Sequence, residues 1–195
     1  MQTLKADTLI DVPWKNGGGI TRNVAKGLRL DHPAWTISRA DVSQDGPFSD
    51  FSGMMRVLTV VSGGPMVLGT PTTSITANLW NPVRFDGNLK IQSRLIDGPL
   101  TDLNLMFDPK YCEGYVVTHE GPLEGKLEPP EQGLLAFHIL AGTPVIDDRR
   151  LGVADTAFIL KANAVLKLAK GDALLEIRLT YLDQSAAIKL CIADR

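Results

Sequence analysis

Apolar and polar residues alternate along much of this chain, in short runs closed by glycine, proline or aspartate, which is the signature of β-strands joined by tight turns. The strongest run, Arg56-Val57-Leu58-Thr59-Val60-Val61, is followed by Ser62-Gly63-Gly64-Pro65 and then Met66-Val67-Leu68, which predicts a hairpin. From Trp35 the alternation puts Trp35, Ile37, Arg39 and Asp41 on one face and Thr36, Ser38, Ala40 and Val42 on the other. Neither face is cleanly apolar, as expected of a strand with one side on a polar cavity or of an edge strand with one side in water. Asp102-Leu103-Asn104-Leu105-Met106 places Asp102 and Asn104 on one face, where they need hydrogen-bond partners or a ligand. Leu4, Leu9, Ile10 and Val12 suggest a first strand or pair ending at Pro13. Thr21 to Leu30 reads as a strand or a frayed turn, broken by Asp31-His32-Pro33 with His32 in a loop.

Further strands are predicted at Tyr115–His119, Leu134–Leu140, Ala157–Leu160, Val165–Leu168 and Leu174–Leu182, with an edge strand through Ile188–Ile192. Helical periodicity is absent from every long window, and 12 prolines and 18 glycines are scattered throughout. The chain is therefore expected to be all-β. With a seam at Asp108-Pro109-Lys110, it divides into residues 1–108 and 109–195, two barrel-like halves without an exact internal repeat.

Composition narrows the function. At 195 residues and 44% hydrophobic content the chain has ample core. Its 20 basic and 22 acidic residues are mixed, with net charge −2 and no basic stripe, so nucleic acid is not an expected partner. The N-terminal stretch lacks a signal-like apolar region and no run approaches the roughly 18 residues of a membrane span, so a cytoplasmic location without membrane contact is expected. Cys112 and Cys191 are too few and too far apart for a disulfide framework or a zinc site, and read as buried or idle thiols.

The stretch Pro13-Trp14-Lys15-Asn16-Gly17-Gly18-Gly19-Ile20-Thr21-Arg22 departs from this background. Consecutive glycines are costly to order, so a tight turn or a close backbone approach is the usual cause, and their amides can form an anion-binding nest. Lys15, Asn16, Thr21 and Arg22 add an ammonium, an amide, a hydroxyl and a guanidinium. Neither the Walker nor the Rossmann spacing is present. A flexible turn with solvated charges is the competing reading.

These residues, PWKNGGGITR, together with WTISRADV at Trp35–Val42, GPFSDFSGMMR at Gly46–Arg56 and DLNLM at Asp102–Met106, resemble the HutD/Ves family of cupin-like proteins. The resemblance is carried between Pro13 and Met106; beyond that only strand pattern and length agree. It implies a double-stranded β-helix, here a bicupin, in a bacterial cytoplasm. It also implies a link to histidine utilisation, with a small acidic metabolite such as formylglutamate as ligand.

Metal-binding cupins use a His-x-His pair, a Glu and a further His. His32, His119 and His138 are dispersed, so no metal or other cofactor is expected, and His138, inside an apolar run, reads as a core histidine. The expected ligand set is Lys15, Asn16, Gly17, Gly18, Gly19, Thr21, Arg22, Arg56, Asp102 and Asn104, holding a small anionic metabolite in a regulatory role; a homodimer is compatible with this. Arg56 is the expected carboxylate anchor, with an internal ion pair to Asp41, Asp50 or Asp102 as the competing reading. The alternative is a metal-independent isomerase or hydrolase for a small carboxylate. In it, Asp41 or Asp102 is the general base, and Lys15 or Arg56 stabilises an oxyanion.

Overall fold

A computed structural model gives the fold and describes residues 1–160, 162–182 and 187–193. The first part carries β1 (Gln2–Leu4), a 3₁₀ turn (Ala6–Thr8), β2 (Val12–Pro13), β3 (Gly19–Arg29), β4 (His32–Val42), β5 (Gly46–Pro47) and β6 (Met55–Ser62). Then come β7 (Met66–Gly69), β8 (Ser74–Ala77), β9 (Val83–Asp86), β10 (Gln92–Leu95) and β11 (Leu100–Phe107). The second part carries β12 (Cys112–Glu120), β13 (Leu123–Leu127), β14 (Gly133–Ala141), β15 (Val145–Ile146), β16 (Arg149–Arg150), β17 (Thr156–Ile159), β18 (Ala164–Leu168), β19 (Ala173–Tyr181) and β20 (Lys189–Ile192). No α-helix is formed among the described residues, and none is long and apolar enough to cross a membrane.

The strands of the described residues make four sheets. A large one, in order β2-β3-β4-β11-β6-β9 with β20 also on β3, faces a smaller one, β5-β10-β7-β8. A second large sheet, β1-β17-β14-β19-β12, faces another small one, β13-β18-β15-β16. The two large sheets pack together through Trp35, Ile37, Leu103, Leu105 and Phe107 on one side and Leu134, Ala136, Leu175, Ile177 and Leu179 on the other. Leu58, Val60, Met66, Leu68 and Leu100 fill the first small-sheet interface, and Leu135, Phe137, Ile139, Leu166 and Leu174 the second. Alternation sorts these side chains: on β6, on β11 and on β4 from Trp35 onward, the odd-numbered apolar positions face the other large sheet and the even-numbered positions face inward.

Sheet membership departs from chain order at both ends. β1 pairs with β17, Gln2 opposite Phe158, and β20 pairs with β3, Cys191 opposite Lys26. Of the residues beyond Leu182, 183–186 and 194–195 lie outside the described residues.

The expected break at Asp31-His32-Pro33 falls earlier. Leu30 (φ 46) and Asp31 (φ 65) form a two-residue hairpin turn, and β4 already begins at His32, which is exposed in the strand. Pro33 is tolerated inside β4 because it lies opposite Leu28, beside a register shift between Gly27 and Leu28 where the ladder is already interrupted. Strand β13, Leu-Glu-Gly-Lys-Leu, is exposed along most of its length and offers only Leu123 and Leu127, with a glycine between them, as an apolar face, so its strand signal is weak.

Candidate functional site

Between the first large sheet and its small partner the apolar packing stops, leaving a cavity of about 810 Å³. Its floor is even-numbered: Thr36, Ser38 and Ala40 from β4, Asp102, Asn104 and Met106 from β11, and Arg56 from β6. Register aligns them, with Ser38 and Leu58 flanking Asn104, and Thr36 and Arg56 flanking Met106.

The polar end is a relay. Arg56 Nη2 donates to Asn104 Oδ1 at 2.8 Å, and Asn104 Nδ2 donates to Asp102 Oδ1 at 2.5 Å. Arg56 is 4% exposed and Asp102 is 0% exposed. Around the guanidinium stand the rings of Phe48 at 4.9 Å, and Phe51 and Phe85 both at 5.2 Å, distances at which a cation is attracted to a ring face. Phe85 arrives by register, directly opposite Arg56 on β9; Phe48 and Phe51 come from the loop after β5. Burial pulls the Arg56 pKa down to about 10 against the pull of Asp102, and pushes Asp102 up to about 7 against the pull of Arg56 and Asn104. Arg56 makes no ion pair with Asp41, Asp50 or Asp102; Asn104 stands between it and Asp102.

The glycine stretch forms one wall. Trp14 N–H donates to Gly19 O, Gly17 N–H to Trp14 O and Gly18 N–H to Asn16 Oδ1, closing a compact turn. The amides of Gly17 and Gly18 are therefore already engaged inside the turn and form no nest for an anion. Gly17 has φ +71, and a Cβ on Gly19 would stand 2.3 Å from Asp41 O, so a left-handed turn and a close approach explain these two glycines. Trp14 Nε1 donates to Thr21 Oγ1 at 2.7 Å, holding the indole over the cavity.

Of the ten residues expected at the site, Lys15, Asn16, Gly18, Thr21, Arg56, Asp102 and Asn104 line this one cavity. Gly17, Gly19 and Arg22 do not. Arg22 lies on the reverse side of β3 from Thr21 and Asn23, where its Nε meets Asp11 Oδ1 at 2.6 Å and its Nη1 meets Asp41 Oδ2 at 2.7 Å. Asp41 also accepts from Thr101; burial disfavours its charge, but Arg22 and Thr101 prevail and hold it below the usual carboxylate range. That engagement removes Asp41 as a general base in the cavity. Residues not expected at the site include Trp14, Asn23, Gln44 and Ser93, while the rings of Phe48 and Phe51, whose sequence context fits a cavity rim or a core equally, stand at the rim. Strand parity was the available signal for Asn23, two positions from Thr21.

No histidine lines the cavity. His138 is buried with Nδ1 2.9 Å from Thr156 Oγ1, and burial pulls its pKa to about 3, so it is neutral. His119 pairs with Glu176 at 2.8 Å and His32 is exposed. Among the described residues no three His, Cys, Asp or Glu side chains converge as metal ligands, so the residues of this cavity do not fit the usual cupin metal. Cys112 is buried, with its thiol pushed up to about 12 by burial and by Asp108.

The HutD family model matches residues 6–186. The chain belongs to the HutD family. Its fold is accordingly cupin-like. HutD of Pseudomonas fluorescens SBW25, whose structure was determined in a formate condition, superposes with a TM-score of 0.78 at 27% identity, covering 93% of this chain and 99% of that one. An uncharacterized 21.2 kDa protein in the hutC 3′ region of Pseudomonas putida is 34% identical over 115 residues, 56% of this chain. The protein Ves of Citrobacter koseri is 32% identical over 108 residues, 53% of this chain. These two matches take in 60% and 56% of the relatives' own lengths.

Proposed function

We propose that this protein binds a small carboxylate-bearing metabolite in the cavity above Arg56, as a regulatory binding protein of histidine utilisation. One observation carries the reading. Three of the buried side-chain polar atoms that have no hydrogen-bond partner among the described residues, Arg56 Nε, Asp102 Oδ2 and Thr36 Oγ1, belong to residues lining the same cavity. A buried polar group left unpaired costs about 1–3 kcal/mol, so three beside one void mark where a polar ligand, or ordered water in its place, would pair with the chain.

The chemistry follows from the inventory. Arg56 offers a planar donor fork suited to a carboxylate, and the rings around it keep that fork in place. A cavity of about 810 Å³ is within the range of small-metabolite sites, and exposed Lys15 and Asn16 at its mouth can meet a second acidic or carbonyl group. An acylated amino dicarboxylate of the formylglutamate type matches this arrangement of one buried and one peripheral anchor. The link to histidine utilisation draws on the names of the relatives.

A second reading has its own support. Asp102, pushed to about 7, is suited to exchanging protons near neutrality, as a metal-independent isomerase or hydrolase of a small carboxylate requires. A thermal-shift panel of histidine-pathway intermediates tests both readings. A specific member at about 100 times its Kd is expected to add about 2.7 kcal/mol to folding, or roughly 5–11 °C for a chain of this size. Recovering that compound unchanged after prolonged incubation supports binding, and its conversion supports the enzyme. A panel in which no carboxylate shifts the wild type more than it shifts Arg56→Met refutes the proposal.

A further inference from the structure

We propose that carboxylate binding in this cavity takes up one proton, carried by Asp102 Oδ2, so that the site receives its ligand as an acid–carboxylate pair gripped by Arg56. The inference rests on the binding function proposed above and deepens it by stating the charge state in which the ligand is held.

The cavity is lined by one buried cation, Arg56, and one buried carboxylate, Asp102, linked through Asn104. A carboxylate set against Arg56 adds a second anion to the same enclosed volume, leaving two negative charges for one positive. Carboxylates sharing a poorly solvated site do not both ionise, and one of them is held as the acid.

The geometry identifies which one. The ligand oxygens face the guanidinium, which favours their charge. Asp102 Oδ1 already accepts from Asn104, while Oδ2 is buried without a partner. A proton on Oδ2 turns an orphaned acceptor into a donor and leaves the Asn104 bond intact. Asn104 keeps both of its own bonds in this arrangement, its Oδ1 accepting from Arg56 and one Nδ2 hydrogen going to Asp102.

The surroundings push the same way. From β6, Arg56 is the one charge that opposes protonation. From β4, Asp41 raises the proton affinity of Asp102 by its charge, although Arg22 and Thr101 occupy its oxygens. Thr21 and Asn23 from β3 and Ser38 from β4 are uncharged. Lys15 and Asp45 lie exposed at the mouth, where water screens them. With burial already holding Asp102 near 7, the approach of a second anion is enough to keep it protonated above neutrality.

Isothermal titration calorimetry with N-formyl-L-glutamate at pH 8, in phosphate, HEPES and Tris, measures the proton directly, because these buffers differ in ionisation enthalpy. Wild type is expected to take up close to one proton per molecule bound, and its Kd is expected to weaken roughly tenfold per pH unit above about 7.5. Asp102→Asn, whose amide donates permanently, is expected to lose both the uptake and the pH dependence and to bind roughly tenfold more tightly than wild type at pH 8. Binding by wild type without proton uptake overturns the inference and leaves the binding function standing. Uptake that persists in Asp102→Asn overturns the assignment to Asp102. Absence of binding by wild type overturns the proposed function, and this inference with it.

Discussion

Replacing Arg56 by methionine separates a ligand anchor from a scaffold residue, and the structure fixes the expected size of the effect. Burial lowers the Arg56 pKa from 12.5 to about 10, and at about 1.4 kcal/mol per pKa unit the fold disfavours this charge by about 3 kcal/mol at neutral pH. Methionine relieves that cost. Against the relief stand the bond to Asn104 Oδ1, worth about 1–2 kcal/mol, and the contacts with Phe48, Phe51 and Phe85. A thioether against the same rings recovers part of the latter, at about 0.3–1.5 kcal/mol per contact. The net change is therefore expected within about 1 kcal/mol of zero, which is roughly 2–4 °C in Tm for a chain of this size. Breaking a buried ion pair, by contrast, costs about 3–5 kcal/mol and would lower Tm by roughly 6–20 °C. Thermal unfolding of the unliganded variant, followed by calorimetry with N-formyl-L-glutamate, reads both quantities. The expected result is a nearly unchanged Tm with affinity reduced at least 100-fold. A fall of more than about 6 °C with affinity per folded molecule intact would refute the reasoning and assign Arg56 to the scaffold.

Two further outcomes are expected. In the glycine stretch, Gly19→Ala drives a Cβ to 2.3 Å from Asp41 O and is expected to destabilise the fold by about 1–3 kcal/mol. Gly18→Ala meets only side chains of Asn16 and Gln44 at 3.3 Å and is expected to cost much less, so equal losses of Tm would contradict the geometry. Asp102 and His138 give stability opposite pH slopes. Asp102 rises from 3.8 to about 7 on folding, so its contribution is fully present below pH 4 and falls by about 4 kcal/mol as pH climbs through 7. His138 drops from 6.5 to about 3 on folding and stays neutral in the folded chain, so stability falls by about 5 kcal/mol as pH falls through that interval. Asp102→Asn is therefore expected to raise Tm at pH 8 relative to wild type more than at pH 4. An equal change at both pH values would sink this account.

The floor of the cavity was legible because a strand fixes side-chain direction by parity. Arg56 beside Leu58, and Asp102 beside Asn104 and Met106, could be placed on inward faces from spacing alone. By the same parity Thr21 and Arg22, adjacent on β3, point to opposite sides, so they cannot both face the cavity. Phe48 and Phe51 lie in a loop, which has no parity, so only the fold shows their rings against Arg56. The glycines were recognised as a turn or a close approach, but which one served which purpose depended on Asp41 O, a backbone atom on the neighbouring strand. The crossing of β1 and β20 left no local trace, since pairing across such separations is decided by which sheet edge is vacant.

That crossing has a consequence for how the chain is made. Gln2 waits for Phe158, 156 positions later, before β1 has a partner, and at 5–20 residues per second synthesis of that interval takes roughly 8–30 s. Leu28 and Gly27 likewise meet Lys189 and Leu190 only when almost the whole described chain has been made. The cavity strands β4, β6 and β11 can pair long before, but the sheet that carries them keeps the edge of β3 incomplete until then. A nascent chain stalled after β11 thus presents a nearly formed site beside an open strand edge, and a ligand that binds early could hold that intermediate together while the ribosome finishes the closing strand.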